Sequence, residues 1–215
     1  VRDSAEQLAG EKAPLDLLIN NAGIMIDFER RTADGFEAQF GINHLAHYLL
    51  TRTLLPRLRS AGAARVICVA SAAMAWASQD ERLEDLNWEE RPVKGMRAYG
   101  DSKLMNLMFA RELNRRCADE GVVAHALHPG VIGTELGRDQ GAVFKVVGLL
   151  AIPFMKSIGQ GASTTVFAAT APKYGEKGGC YFSDNRESPY HNRLAANDEA
   201  CERLWELSAE LTGLN

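Results

Sequence analysis

The sequence predicts an α/β fold in which a parallel β-sheet is covered by helices on both faces. Short apolar runs alternate with segments of helical periodicity along the whole chain. The runs are apolar at consecutive positions, as expected for central strands that helices cover on each side. The length of 215 residues and the hydrophobic fraction of 46% allow one sizeable core. We therefore predict a single domain over residues 1–215, built on a doubly wound sheet.

Four apolar runs are predicted as strands, and segments predicted as helices separate them. The strands are residues 15–20, 65–71, 122–127 and 179–183. The helices are residues 35–60, 97–117, 160–171 and 198–211. Each helix is followed by a residue typical of helix ends, namely Gly62, Gly121, Pro172 or Gly213. The alternation of the two kinds of element favours parallel strands joined by helical crossovers.

Two long segments fit neither pattern, and both follow the ends of predicted strands. Residues 76–94 are polar, acidic and aromatic, whereas residues 135–159 contain an apolar stretch, 143–155, that glycines and Pro153 interrupt. In open α/β sheets, ligands bind at the edge formed by the carboxyl ends of the strands. We interpret the stretch 143–155 as a lid over an apolar substrate. Ordinary core and a contact with a membrane surface are the alternatives.

Composition excludes some classes of partner. The net charge of −4 gives no basic patch for nucleic acid, and no apolar run approaches the ~18 residues that span a bilayer. The cysteines lack C-x-x-C spacing, so we predict neither a zinc site nor a disulfide framework and expect a reducing cytoplasm. Cys68 lies in an apolar run and is expected to be a small buried side chain. His44 and His47 have no acidic partner at ligand spacing, which favours helix-surface or interface histidines over metal ligands.

Tyr99 and Lys103 stand four residues apart near the start of a predicted helix, and this spacing places them on one face. A tyrosine has a pKa near ~10 and is a poor base at neutral pH. A neighbouring ammonium favours the phenolate and lowers that pKa, so the pair could act as a general acid and base. Without further partners, a surface contact on a helix would be the simpler interpretation of the pair.

Polar residues follow or face the other predicted strands. Ser71 ends the run 65–71, where its hydroxyl could donate to a substrate oxygen or simply cap a turn. The segment Asn20-Asn21-Ala22-Gly23 follows the first strand, and its alternative interpretation is a plain turn. Asn43 interrupts an apolar helical stripe, which is unfavourable in a core unless the amide has a partner.

The order and approximate spacing of these motifs resemble those of the short-chain dehydrogenase/reductase family over essentially the whole chain. The motifs are Asn20-Asn21-Ala22-Gly23, Asn43, Ser71, Tyr99-x-x-x-Lys103 and His128-Pro129-Gly130. The closer resemblance is to the retinol dehydrogenase-like branch, in the stretches IDFERRTADGFEAQFGINHLAHYLLT, RAYGDSKLMNLMFARELNRR, LHPGVIGTEL, QGASTTVFAAT and GGCYFSD. Two positions depart from the family pattern: Ala70, where serine is common, and Met74, where this branch often has histidine. The resemblance implies a Rossmann-like fold.

The resemblance also implies roles for particular residues. Tyr99 would give or take the hydroxyl proton, and Lys103 would lower its pKa and hold the ribose hydroxyls of a nicotinamide cofactor. Ser71 would polarise the substrate carbonyl, and Asn43 would position a water that links Lys103 to solvent. Thr134 would bond the carboxamide of the nicotinamide. The implied cofactor-binding residues are Asn20, Ala22, Gly23, Tyr99, Lys103, Pro129, Gly130, Val131 and Thr134.

The function implied is an NAD(P)-dependent oxidoreductase that interconverts an alcohol and a carbonyl on a medium-to-large apolar substrate. NADP is favoured over NAD by the resemblance. A non-catalytic binding or regulatory protein on the same fold and an inactive fragment of the enzyme are the alternatives. Because the helices 35–60 and 97–117 pair across a two-fold axis in many relatives, a homodimer is also implied.

One family motif is not found in the sequence. It is the glycine-rich turn T-G-x-x-x-G-x-G, and residues 1–12 resemble the end of the helix before the family's fourth strand. The resemblance therefore implies an N-terminally incomplete sheet with about the last four strands and their helices. We expect residues 1–215 to be a fragment with weakened binding of the cofactor pyrophosphate and an exposed apolar edge at 15–20.

Overall fold

The computed structural model describes residues 1–78, 83–130, 157–190 and 192–214. These residues contain a five-stranded sheet whose spatial order follows the chain. Its strands are β1 Leu17–Asn20, β2 Ala64–Val69, β3 Val122–His128, β4 Tyr181–Ser183 and β5 Arg186–Ser188. Strands β1 to β4 are parallel, which confirms the predicted parallel sheet.

The antiparallel strand β5 was not predicted from the sequence. It pairs with β4 through a two-residue turn, in which Asp184 and Asn185 have φ angles of 52° and 57°. Positive φ at both turn residues is the geometry that fits the twist of a tight hairpin, and Asp and Asn tolerate it. The strand was missed because the run 186–188 is charged and too short to show alternation.

Most of the helices lie where the sequence predicted them. They are α1 Arg2–Ala9, α2 Ala46–Ser60, α3 Gly95–Cys117, α4 Ile158–Thr170, α5 Arg193–Ala196 and α6 Asp198–Thr212. Short 3-10 segments span Ala72–Trp76, Ala118–Glu120 and Pro172–Tyr174. Gly121 and Gly213 have φ angles of 77° and 66°, so both end their helices in the left-handed conformation that glycine favours.

The helix predicted from residue 35 begins later than expected. Gly35 has a φ angle of 86°, which a right-handed helix does not allow, and a bridge between Arg31 and Glu37 closes the turn around it. The Glu37 carboxylate then accepts a 2.7 Å hydrogen bond from the Phe40 amide. From there the chain forms a π-helical turn, Phe40–Leu45, that runs directly into α2.

The sheet is covered on both faces, and this explains why β2 is apolar at each position from Val66 to Val69. Val66 and Cys68 belong to the larger hydrophobic cluster, formed with α2, α3 and α6, whereas Ile67 and Val69 belong to a second cluster that includes residues of α4. Alternate side chains of a strand point to opposite faces. A strand covered on both sides therefore needs apolar residues at consecutive positions.

The C-terminal helix α6 packs against α3 and the π-helical turn. The ring of Trp205 lies 5.2 Å from that of Tyr48 and 5.8 Å from that of Phe109, measured between centroids. Arg111 of α3 adds a 2.6 Å ion pair to Asp198 at the start of α6. The helices that were expected to form a dimer interface therefore carry the chain's own C-terminal helix on this face, and the homodimer stays a prediction.

Strand β1 lies at one edge of the described sheet. Leu17 and Ile19 are 38% and 40% exposed, which confirms the predicted apolar edge at this strand. Among the described helices, none combines the length and the apolarity that crossing a bilayer requires.

Candidate active site

Residues from the ends of three strands and from helix α3 meet at the carboxyl edge of the sheet. Asn20 ends β1, Ser71 lies two residues beyond β2, and Pro129 follows β3. Tyr99 and Lys103 lie in the first turns of α3. The carboxyl ends of parallel strands form one edge, which is where open α/β sheets bind ligands.

The structure brings Tyr99, Lys103 and Ser71 together. Tyr99 and Lys103 are both buried and lie one helical turn apart, and the Lys103 Nζ is 5.8 Å from the centroid of the Tyr99 ring. The Ser71 hydroxyl lies close enough to the Tyr99 phenol to lower its pKa. The Ser71 Oγ also accepts a 3.2 Å hydrogen bond from the Ala73 amide, so the serine caps the 3-10 segment as well as facing the tyrosine.

The pKa of Tyr99 differs from the sequence-based prediction. Burial raises the pKa of this phenol above its ordinary value, and the nearby Ser71 hydroxyl lowers it only in part. The prediction of a net lowering is therefore wrong for this structure, because the low-polarity surroundings penalise the phenolate. Burial also lowers the pKa of Lys103, to about 8, since the same surroundings penalise the ammonium.

Lys103 is held in place by the end of β2. Its Nζ donates a 3.0 Å hydrogen bond to the carbonyl oxygen of Val69, and the Asn106 Nδ2 donates to the same oxygen at 3.2 Å. The ammonium is thereby directed at the sheet edge. Asn106 was not identified from the sequence, because its role depends on a contact with a strand 37 residues away.

Asn43 lies in the π-helical turn and is fully buried, but its amide is well paired. Its Oδ1 accepts from the Ile24 amide at 2.8 Å, and its Nδ2 donates to the Ile24 carbonyl at 2.9 Å. The Nδ2 also donates to the Ser102 Oγ at 3.0 Å, and that hydroxyl donates to the Tyr99 carbonyl at 2.8 Å. Asn43 thus ties the loop after β1 to the helix that carries Tyr99. Single π-helical turns occur frequently at functional sites, where they displace one residue from the regular helix.

The loop after β1 approaches Lys103 closely. A Cβ atom at Gly23 would lie 3.0 Å from the Asn43 Oδ1 and 3.3 Å from the Lys103 Nζ, so only glycine fits without displacement of these groups. Asn20 is turned inward, because its Nδ2 donates to the Thr51 Oγ1 at 2.8 Å, whereas Ala22 is exposed. Asn20 therefore supports the loop from below in this structure, and Ala22 and Gly23 form its surface.

The turn after β3 completes the described part of the site. Pro129 and Gly130 are half-buried at the same sheet edge, and Gly130 has a φ angle of 92°. Val131 and Thr134 lie outside the described residues, as does the stretch 143–155 interpreted as a lid.

His44 and His47 are not at the helix surface. His44 is fully buried, stacks on Phe40, and lies with its Nε2 2.9 Å from the Ser208 Oγ of α6. The surface prediction for both histidines is wrong because α6 and the loop after β1 cover this face, which the helical periodicity of one segment could not show. Among the described residues, no three potential ligand side chains lie close enough to hold a metal ion.

The cysteines of the chain are all buried and unpaired. The predicted burial of Cys68 is confirmed, and burial raises the pKa of its thiol to about 12. The Asn20 amide donates to the Cys68 sulfur at 3.8 Å. Cys68 is therefore an inert thiol in the floor of the site beneath Lys103.

Comparison with known proteins identifies the family. The family model for the short chain dehydrogenase matches residues 1–80, and the chain belongs to the short-chain dehydrogenase/reductase family. It is 42% identical over 214 residues to retinol dehydrogenase 12 of Mus musculus, and this alignment covers 100% of the chain and 66% of that relative. The chain thus spans slightly less than two thirds of the length of a curated relative that it matches.

Solved structures show the same fold. The crystal structure of an uncharacterized protein from Mycobacterium paratuberculosis matches with a TM-score of 0.75 and 35% identity, over 99% of this chain and 72% of that one. A short-chain dehydrogenase from Sphingobium yanoikuyae, solved in complex with NADPH, matches with a TM-score of 0.56 and 22% identity, over 77% of this chain and 58% of that one. The second likeness concerns the fold alone.

Proposed function

We propose that the protein is an NAD(P)-dependent oxidoreductase that interconverts an alcohol and a carbonyl compound. The observation that carries the proposal is the contact of Ser71 with Tyr99 beside the buried ammonium of Lys103. A hydroxyl, a phenol and an ammonium in this arrangement can bind a substrate oxygen and exchange a proton with it.

Each side chain of the group has a distinct part in the proton transfer. When a carbonyl is reduced, Ser71 donates a hydrogen bond to its oxygen and Tyr99 gives that oxygen a proton. Lys103 stabilises the resulting phenolate by its charge, and it returns a proton to Tyr99 afterwards. Oxidation of an alcohol uses the same groups in the reverse direction. Because burial holds the pKa of Lys103 near 8, its ammonium can lose and regain a proton close to neutral pH.

The described residues fit the nicotinamide end of a dinucleotide cofactor. Gly23 leaves open the space in front of the Lys103 Nζ, and a donor directed into that space suits the hydroxyls of a ribose. Pro129 and Gly130 border the same edge from the side of β3. The residues that would hold the cofactor are Ala22, Gly23, Tyr99, Lys103, Pro129, Gly130, Val131 and Thr134, with Asn20 as support. When bound, the nicotinamide supplies or accepts the hydride.

We propose a medium-to-large apolar substrate and favour NADP over NAD. Similarity to retinol dehydrogenase 12 supports an apolar alcohol or aldehyde, because retinol is such a molecule. Trp76, at the end of the 3-10 segment that Ser71 caps, is 61% exposed and offers an apolar surface next to the site. The unpaired cysteines suit a reducing compartment such as the cytoplasm, which stays a prediction.

The test is the variant Tyr99→Phe, made in the full-length protein and assayed with NADPH or NADH and a panel of apolar aldehydes and ketones. We expect kcat/KM to fall by about 100-fold or more, since general acid catalysis contributes roughly that factor. The matched control is Tyr190→Phe, because the Tyr190 hydroxyl bonds the Gly179 carbonyl away from the site. Wild-type levels of turnover in Tyr99→Phe would rule out the mechanism, and absence of turnover by the wild type across the panel would rule out the activity.

A further inference from the structure

Behind Lys103 lies a layer of buried polar atoms that the mechanism above does not use. The atoms without a hydrogen-bond partner among the described residues are the Asn20 Oδ1, the His44 Nδ1, the Asn106 Oδ1 and both ring nitrogens of His47. They come from β1, from the helical segment that contains Asn43 and from α3. Buried polar groups are normally paired with protein or with ordered water. A layer with this many unpaired atoms therefore has the chemistry to bind water.

His47 stands out in this layer because neither of its nitrogens has a partner among the residues that the structure describes. It is 5% exposed and follows Asn43 by one helical turn. The carbonyls of Ala22 and Asn43 raise its pKa, which shows that they approach the ring, although neither makes a hydrogen bond of normal geometry. His47 thus lies between the buried carbonyl of Asn43 and the exposed residue Ala22.

Lys103 is within electrostatic reach of this ring. Its charge lowers the pKa of His47, and burial, the larger cause, brings it to about 4. The other titratable groups of the layer are His44 on the same helical segment and Cys68 on β2. With that pKa the imidazole is neutral at physiological pH, so it carries one N–H donor and one free acceptor.

Neighbouring His44 shows a different arrangement. Its Nε2 donates to the Ser208 Oγ, since that hydroxyl itself donates to the Leu204 carbonyl at 2.7 Å. His44 is therefore fixed in one tautomer by α6, which suits a structural role. His47 has no such restraint from the described residues and can exchange tautomers.

We propose that His47 extends the proton relay of the site by linking Lys103, through ordered water, to the surface at Ala22. A neutral imidazole accepts a proton on one nitrogen and releases the proton of the other. When a carbonyl is reduced, Tyr99 loses a proton, Lys103 replaces it, and His47 passes a proton from solvent to Lys103. When an alcohol is oxidised, the proton leaves by the same route, and His47 returns to its neutral form in both directions. His47 is a positioning and relay residue rather than a catalytic one, because it acts through Lys103.

The inference rests on the proposed function, and the test separates the two. The variants are His47→Phe, which keeps a flat ring without nitrogens, and His47→Gln, which keeps polarity without a shuttling ring. The control is His125→Phe, because His125 is also buried but bonds the Tyr174 carbonyl and the Cys180 amide, two residues of the second hydrophobic cluster. Tyr99→Phe is measured in parallel, and thermal unfolding of each variant establishes that it is folded.

We expect His47→Phe to lower kcat by about 10-fold, less than the ~100-fold loss for a direct general acid. KM and the dissociation constant of the cofactor should change less than about 3-fold, because His47 is buried and is not among the residues proposed to hold the substrate or the cofactor. The ratio of kcat in H2O to kcat in D2O should rise as proton delivery becomes limiting, and added imidazole should restore part of the rate. A purely structural role would leave the isotope ratio unchanged and would not allow rescue.

A structure provides a readout that does not depend on activity. In a high-resolution crystal structure of the wild type we expect an ordered water bonded to a ring nitrogen of His47 on the side of Lys103. His47 nitrogens that contact only protein atoms would overturn the inference, as would normal kcat and isotope ratio in both His47 variants while Tyr99→Phe is inactive. Full activity of Tyr99→Phe would instead overturn the proposed function itself.

Discussion

Replacement of Lys103 by methionine is expected to stabilise the fold while it removes activity. The Lys103 ammonium is buried, and its pKa is lowered from 10.5 to about 8. Each pKa unit corresponds to about 1.4 kcal/mol, so the buried charge costs about 3 kcal/mol of folding free energy at neutral pH. Methionine has a similar length and no charge, and it removes this cost.

The hydrogen bond that Lys103 makes reduces the gain. Its Nζ donates to the Val69 carbonyl, and a typical hydrogen bond contributes about 1 kcal/mol to stability. The carbonyl is not left unpaired in the variant, because the Asn106 Nδ2 donates to the same oxygen. The net expectation for Lys103→Met is therefore a rise of about 1–2 kcal/mol in the free energy of unfolding at pH 7.

Urea unfolding at several pH values measures this difference. Because the folded pKa of Lys103 lies below the unfolded value, the unfolded state binds more protons between pH 8 and 10.5. The wild type consequently becomes more stable, relative to the variant, as the pH rises through this window. The advantage of Lys103→Met should be full at pH 7 and should disappear by about pH 10.5.

The control for this experiment is Lys12→Met at an exposed lysine. It should change the free energy of unfolding by less than about 0.5 kcal/mol. A destabilised Lys103→Met variant at pH 7, or an advantage that does not change with pH, would refute the reasoning. Either result would mean that the ammonium is better solvated than its burial indicates.

Two further expectations concern stability. Trp205→Ala should lower the free energy of unfolding by about 3–5 kcal/mol in urea titrations, since Trp205 packs on Tyr48 at 5.2 Å and joins α6 to the core. Leu211→Ala, on the exposed side of α6, should lower it far less. Equal losses in the two variants would contradict the conclusion that Trp205 joins α6 to the core. Acid should destabilise the wild type, because burial lowers the pKa of His125 to about 4. The stability that the neutral ring of His125 provides is therefore complete above pH 6.5 and is lost as the pH falls towards 4. The raised pKa of Asp101, about 6, acts in the opposite sense in that window. Burial also lowers the pKa values of His44 and His47, to about 3 and about 4, so His125→Phe should still lose stability in acid but less steeply than the wild type, and equal slopes would contradict the contribution of His125.

The covered face of α2 and α3 has a consequence for assembly. Helix α6 packs Trp205 against Tyr48 and forms a hydrogen bond between Ser208 and His44. Side chains of the same chain therefore already occupy this face. A second subunit could use this face only after α6 is displaced, at a cost of the order estimated for Trp205→Ala. Light scattering of wild type and Trp205→Ala would show whether a dimer forms on this face.

Much of the fold could be predicted from the sequence because its main strands are buried on both faces. Val66 to Val69 are apolar at each position for that reason, and the glycines at 121 and 213 end helices in a conformation that favours glycine. The helix predicted over residues 35–60 was predicted to begin too early. Gly35 has a positive φ angle and forms a left-handed turn instead of the first helical turn. Strand β5 depends on its pairing with β4 and has little signal of its own.

Strand and helix patterns in the sequence were enough to place Ser71 and the pair Tyr99 and Lys103 at one edge of a sheet, and the family resemblance added Asn43. The surroundings of these groups depend on tertiary packing. Burial raises the pKa of Tyr99 although an ammonium lies near it, and the described residues leave the ring of His47 unpaired beside Lys103. Desolvation depends on what packs over a side chain from distant segments, and no local pattern in the sequence records that packing.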